Sequence, residues 1–249
     1  MPNCNPPDNL NWVAGKGECL KIKTLNKEFA EQSPTLVIFL HGDVSRGGPA
    51  SYYYSRAERF EGSSTVPVVL IRPGYYDSEG NYSTGSDCGR GDCYTPHNVD
   101  AIAEAIKSIK EFHKARNVIL VGHSGGAAIA GVIIGRHPGL VDGAVLAACP
   151  CNMDEFNELR LSRGRRAWSS LSPHSFVDGI PPTTQVVAIT GDEDEKTPPF
   201  LAERYIKELQ AKSIEASFVS IEGGTHNGSA GSSEFYDAIW GLIGGKEMG

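Results

Sequence analysis

Residues 117–135, NVILVGHSGGAAIAGVIIG, constrain the fold more tightly than any other stretch of the chain. Val118, Ile119, Leu120 and Val121 form a short β-branched and apolar run, which suits a strand covered on both faces in a parallel sheet. Gly122, His123, Ser124, Gly125 and Gly126 then follow G-x-S-x-G, a turn that leaves a serine hydroxyl exposed between strand and helix. The glycines two before and two after the serine have a steric reason. They let the strand and helix backbones approach while the serine is held in a strained conformation. From Ala127 to Ile134 the chain is apolar nearly all round a helix, and such a helix must be buried. A bare G-x-S-x-G match is common in glycine-rich loops. The strand before it and the apolar helix after it are the context that makes Ser124 a candidate nucleophile.

The rest of the chain is placed around that turn. Residues 1–17 are rich in Pro, Asn and Gly and read as an irregular lead-in. Leu20 and Ile22 alternate with Lys21 and Lys23, which predicts a half-exposed edge strand. Continuous apolar runs at 35–40 and 66–71 predict buried strands, and further strands are expected at 141–149, 185–190 and 216–221. Between them, Thr95-Pro96 opens a helix with Val99, Ile102, Ile106 and Ile109 on one face, Pro199 opens a second, and Phe235, Ile239 and Leu242 mark a third. The long polar loop at 77–94 is of a length that is usually functional. Residues 152–184, with Arg160, Arg163, Arg165, Arg166 and Trp168, read as a small cap at most. Strands alternating with helices predict an α/β fold, a mostly parallel sheet with helices on both faces, in one domain spanning 1–249.

Composition narrows the function. At 249 residues the chain can bury roughly three quarters of its unfolded surface without metals or staples. A formal charge of −7 with no dense run of Lys or Arg argues against a nucleic-acid partner. No apolar stretch is long enough to span a bilayer, and residues 1–17 lack the layout of a signal peptide. The six cysteines cut across this. An even count with a local pair in a polar loop points to disulfides, Cys88 with Cys93 first and Cys4 with Cys19 second, and so to a secreted or periplasmic protein whose leader has been removed. The competing reading is a cytoplasmic protein with free thiols, Cys149 being a small buried hydrophobe. No histidine stands at finger-like spacing from the close cysteine pairs, so no metal site is expected.

Three polar groups fall at the ends of successive strands in the order Ser, Asp, His. Ser124 needs a base, because an alcohol at its ordinary pKa is a poor nucleophile near neutrality. His226, on a glycine-flanked loop after the last strand, is best placed among the seven histidines. Asp192 and Asp194 both qualify by position as the carboxylate that fixes its tautomer. In the loop after residue 40, the amide of Asp43 pairs with that of Gly125 as a candidate oxyanion hole.

With these residues in place the chain resembles the α/β-hydrolase fold superfamily of serine esterases, lipases and related peptidases. The likeness runs from Glu18 to the C-terminus. It rests on His41-Gly42, on Arg72-Pro73-Gly74-Tyr75 with Asp77-Ser78-Glu79-Gly80, on the serine turn, on the strand-end acid and on the late histidine. In many relatives the acid lies three positions after the glycine ending its strand and shortly before a proline. Gly191 and Pro198 then select Asp194, with Asp192 as fallback. Leu171-Ser172-Pro173 and Val177 to Ile180 are similar to the approach segment of prolyl-oligopeptidase-type catalytic domains, although no aromatic residue directly precedes the serine. The resemblance implies a carboxylesterase-like serine hydrolase acting on short or soluble acyl esters without a cofactor. Tyr54, Arg72, Tyr75, Tyr76 and Trp168 are candidates to line the substrate cleft. A small serine peptidase or amidase, and an inactive hydrolase-fold binding protein, are the alternatives.

Overall fold

The computed structural model describes residues 4–30 and 32–244, so the outer ends of the predicted lead-in and of the 1–249 domain lie outside the described residues. The chain gathers into two compact units, one up to Leu120 and one from Val121.

The first unit contains strands β1 (Trp12–Gly15), β2 (Glu18–Thr24), β3 (Thr35–Leu40) and β4 (Thr65–Leu70), with helices α1 (Tyr53–Ala57) and α2 (Pro96–His113). Its strands lie in the order β1-β2-β4-β3. β3 and β4 pair in parallel from Thr35 opposite Thr65 to Leu40 opposite Leu70, and every residue of both is buried, as their unbroken apolar runs require. α2 starts where Thr95 accepts the Asn98 N–H on its side chain, with Pro96 in the first turn. Two expectations are corrected here. The lead-in is not wholly irregular, because β1 forms a hairpin with β2 through Lys16 and Gly17, whose successive positive φ angles of 46° and 81° suit a tight hairpin turn. The Leu20–Ile22 strand is therefore not at the edge, since β1 and β4 flank it. Four residues ending in glycine carry too little alternation to show β1 in the sequence.

The second unit follows on from β5 (Asn117–His123), which carries the chain across the division. It contains α3 (Gly125–Arg136), β6 (Gly143–Ala147), α4 (Met153–Ser162), β7 (Gln185–Gly191), α5 (Pro199–Ala211), β8 (Ala216–Ile221) and α6 (Ser233–Gly244). The strand order is β5-β6-β7-β8, and β6, β7 and β8 run parallel. Their carboxyl ends therefore emerge on one side, where ligand-binding loops of parallel sheets gather. α3 is buried from Gly125 through Gly135. Within the expected cap, α4 begins where Asn152 accepts the N–H groups of Asp154 and Glu155.

Three disulfides close among the described residues. Cys4–Cys19 and Cys88–Cys93 are the two pairings expected from sequence. The third, Cys149–Cys151, replaces the reading of Cys149 as a free packed thiol. No helix among the described residues is long and apolar enough to cross a membrane.

Candidate active site

Ser124 occupies the turn between β5 and α3 with φ 53° and ψ −117°, a conformation that a residue with a side chain adopts only under constraint. The constraint is visible. Its N–H donates to the Ala147 carbonyl at 2.8 Å, its carbonyl accepts the Ala128 N–H at 3.0 Å, and a Cβ on Gly122 would overlap the Gly126 carbonyl and Ala127. Ser124 keeps partial exposure while the residues on both sides of it are buried. Among the described residues the Gly125 N–H, opening α3, makes no hydrogen bond.

The turn after β7 and the loop after β8 run backbone against backbone. A Cβ on Gly191 would overlap the Gly224 carbonyl, which accepts the Glu193 N–H at 3.0 Å. This close approach brings Asp194 to His226. The Asp194 side chain is fully buried, and its Oδ1 accepts the N–H groups of Lys196 at 2.9 Å and Thr197 at 3.0 Å, folding the carboxylate back over its own turn. Asp192 is exposed on the same turn, so it is Asp194 that faces the imidazole.

His226 Nδ1 lies 2.8 Å from Asp194 Oδ2, and its Nε2 lies 3.1 Å from Ser124 Oγ. A carboxylate only accepts, so the proton sits on Nδ1 and the Nε2 lone pair receives the serine hydroxyl. Burial pushes the Asp194 carboxyl up. The hydrogen bond and charge of His226, with the Thr197 donors, outweigh that and hold it below its ordinary value. The arrangement can take a proton from Ser124 and stabilise the imidazolium that results.

Two residues not singled out from sequence complete the surroundings. Thr197 Oγ1 lies 2.8 Å from Asp194 Oδ2, 3.0 Å from His226 Nδ1 and 3.0 Å from the Ala148 carbonyl. The Asp194 turn closes on the Lys196 N–H two residues on, and nothing in the sequence singles out Thr197 beyond it. His123 donates from Nε2 to the His226 carbonyl at 3.0 Å, the two rings lying 5.2 Å apart. Nothing in its sequence context marks that contact.

The remaining candidates fall in two groups. In the second unit, Trp168 lies under the Arg160 guanidinium, 4.3 Å from the ring centroid, and borders a cavity of about 320 Å³ with Met153, Asp154, Asn157, Leu171 and Phe176. No residue of the Ser124–Asp194–His226 set borders that cavity. Arg163, at the end of α4, donates to the Glu195 carbonyl beside Asp194. In the first unit, Asp43, Arg72 and Tyr75 share one buried network. Arg72 donates to Asp43 Oδ1 and to the His41 carbonyl, each at 3.1 Å, and the Tyr75 hydroxyl lies 3.4 Å from Asp43 Oδ1. Tyr54 donates to Asp77 at 3.0 Å, and Tyr76 stacks on Tyr82 at 4.8 Å.

The alpha/beta hydrolase family matches residues 37–178. No curated protein matches the chain. Among solved structures, Est1E from Butyrivibrio proteoclasticus with bound ferulic acid is 15% identical, with a TM-score of 0.71 over 95% of this chain and 98% of that one. An esterase from Pyrococcus furiosus is 13% identical, with a TM-score of 0.71 over 96% and 90%. An acylaminoacyl peptidase from Pyrococcus horikoshii is 12% identical, with a TM-score of 0.70 over 92% of this chain and 39% of that one. At these identities the likeness is one of fold.

Proposed function

This chain belongs to the alpha/beta hydrolase family, and from that premise we propose that it is a serine hydrolase of carboxylic esters, acting on short or soluble acyl substrates. The observation that carries this reading is the unbroken run from buried Asp194 through His226 to the hydroxyl of Ser124, a partly exposed residue, at 2.8 Å and 3.1 Å. Est1E with its ferulic acid and the Pyrococcus esterase support the ester class as relatives in fold.

Ser124 gives its proton to His226 Nε2 as Oγ attacks the ester carbonyl. The amides of Gly125 and Asp43 are assigned to hold the oxyanion, each such donor being worth about 3 kcal/mol of barrier. The imidazolium then protonates the departing alcohol, leaving an acyl group on Ser124. Water, deprotonated by His226, releases the acid and returns the proton to serine. No cofactor enters this sequence. Of the predicted cleft residues, Trp168 borders a cavity that no residue of the Ser124–Asp194–His226 set shares and is given no substrate role, whereas Arg72, Tyr75, Tyr54 and Tyr76 are assigned to supporting their loops by the contacts described above.

Fluorophosphonate labelling read by intact mass, on wild type and Ser124→Ala, tests the proposal alongside p-nitrophenyl esters of increasing chain length. A single adduct lost in the variant, with short esters turned over, is expected. No adduct on folded protein sinks the hydrolase reading and leaves a binding protein. Turnover of aminoacyl anilides without ester turnover moves the assignment to a peptidase, a reading favoured by the fold likeness to acylaminoacyl peptidases.

A further inference from the structure

We propose that the Cys149-Pro150-Cys151 disulfide turn and Thr197 form one brace that sets Ser124 and Asp194 at working distance from His226. The inference rests on the assignment of those three residues as the catalytic set. It starts at the end of β6, where two consecutive carbonyls point to the two sides of that set. Ala147 accepts the Ser124 N–H at 2.8 Å, which fixes the strained nucleophile turn. The Ala148 carbonyl lies 3.0 Å from Thr197 Oγ1, whose single proton is shared between that carbonyl and Asp194 Oδ2 at 2.8 Å. Thr197 Oγ1 in turn touches both the Asp194 carboxylate and His226 Nδ1, and the Thr197 N–H bonds Asp194 Oδ1. One dipeptide therefore anchors the nucleophile and the acid together.

Holding two successive carbonyls on different partners forces the backbone out of the strand. Ala148 has φ 50°, left-handed for a residue with a Cβ, and its N–H is spent on the Ile189 carbonyl at 2.8 Å. Such a conformation persists only where the surroundings over-determine it. The disulfide supplies that constraint covalently, beginning at the next residue. Cys149 and Cys151 close a ring across Pro150, whose φ is already fixed by its own ring. Both cysteines are buried, and the Cys151 carbonyl accepts the His174 N–H at 3.0 Å, tying the far side of the turn down. Thr197 is buried as well. Its hydroxyl lies where carboxylate, imidazole and carbonyl are all within reach, so losing it frees the carboxylate on the side facing Ala148.

A mutant cycle on p-nitrophenyl acetate tests the brace, using Thr197→Val, the pair Cys149→Ala with Cys151→Ala, and all three changes together. Thr197→Val and the cysteine pair are each expected to lower kcat on the order of 10-fold to 100-fold, with KM moving less than about 2-fold. Thr197→Ser, which keeps the hydroxyl, is expected to recover most of the loss. Because both parts act through one contact, the combined variant should be little worse than the poorer single one. Losses that multiply, or a kcat that does not move, overturn the proposal. If the cysteine pair variant fails to fold, the contrast between Thr197→Val and Thr197→Ser decides the outcome. A second readout needs no turnover: the downfield proton resonance of His226 Nδ1 should shift in Thr197→Val and return in Thr197→Ser. An unmoved resonance overturns the brace. Wild type that neither hydrolyses esters nor reacts with fluorophosphonate defeats the hydrolase reading, and the resonance still decides the brace.

Discussion

Each unit of the molecule holds a carboxylate with little exposure beside a strand end, and the two carboxylates have different partners. In the first unit Asp43 is surrounded. Arg72 pairs with one oxygen, Tyr94 donates to the other at 2.6 Å, and the arginine also stacks over the Tyr75 and Tyr94 rings. Burial works against the Arg72 charge, but Asp43 and the two tyrosines outweigh it and push its pKa above the ordinary arginine value. Even the neighbouring imidazole is fixed, His41 accepting the Arg72 N–H on Nε2 and donating from Nδ1 to the Gly42 carbonyl. In the second unit Asp194 is more deeply buried than Asp43, yet its chain of partners leads outward through a partly exposed imidazole to a hydroxyl on a strained turn. A buried charge whose partners close on themselves holds a loop. One whose partners end on a reactive atom prepares chemistry.

The comparison is broken most sharply by making the same change at both carboxylates. In Asp194→Asn the new amide donates to His226 Nδ1, so the imidazole must carry its proton on Nε2 and has no lone pair for Ser124. By the tautomer argument kcat for short esters should fall about 10⁴-fold, with the urea midpoint changed little. In Asp43→Asn the buried Arg72 loses its counter-charge, and removing one partner of a buried pair costs about 3 to 5 kcal/mol. There the urea midpoint should drop, while kcat of the folded protein stays within about 10-fold because the Ser124, Asp194 and His226 contacts are untouched. A kcat collapse in Asp43→Asn at unchanged stability would place that carboxylate in the chemistry and erase the distinction.

What the sequence could and could not show follows the same physics. β3, β4 and the central part of β5 were legible because strands buried on both faces must be continuously apolar. Ser124, Asp194 and His226 were legible because each stands beside a glycine-marked turn at a strand end, and those glycines are where backbones come too close for a Cβ. α4 was not, because only Met153 and Phe156 on it are buried and its other residues show no stripe. Choosing between Asp192 and Asp194 from sequence needed the family pattern, whereas the structure separates them by burial. Thr197 and the Cys149–Cys151 turn escaped notice because they act through the carbonyls of Ala147 and Ala148, and a carbonyl's direction leaves no trace in residue identity.

The smallest effect sharpens the contrast within the first unit, between a histidine whose two nitrogens are both engaged and one with neither. His113, at the end of α2, is fully buried, and neither of its ring nitrogens has a hydrogen-bond partner among the described residues. Burial pushes its pKa from 6.5 down to about 4, because a charged imidazole has nothing there to replace water. The unfolded chain therefore takes up the proton first as pH falls. Between pH 6.5 and about 4 the unfolded state binds more protons than the native one, so the stability held by neutral His113 is complete above that window and drains away through it. At pH 5 the loss is roughly 2 kcal/mol. His113→Leu removes the titration and keeps the apolar contacts, so its advantage over wild type in urea midpoint should widen as pH is lowered from 7 to 5. A gap independent of pH would mean that the native state admits water or a proton at His113, and that burial there is less complete than around His41.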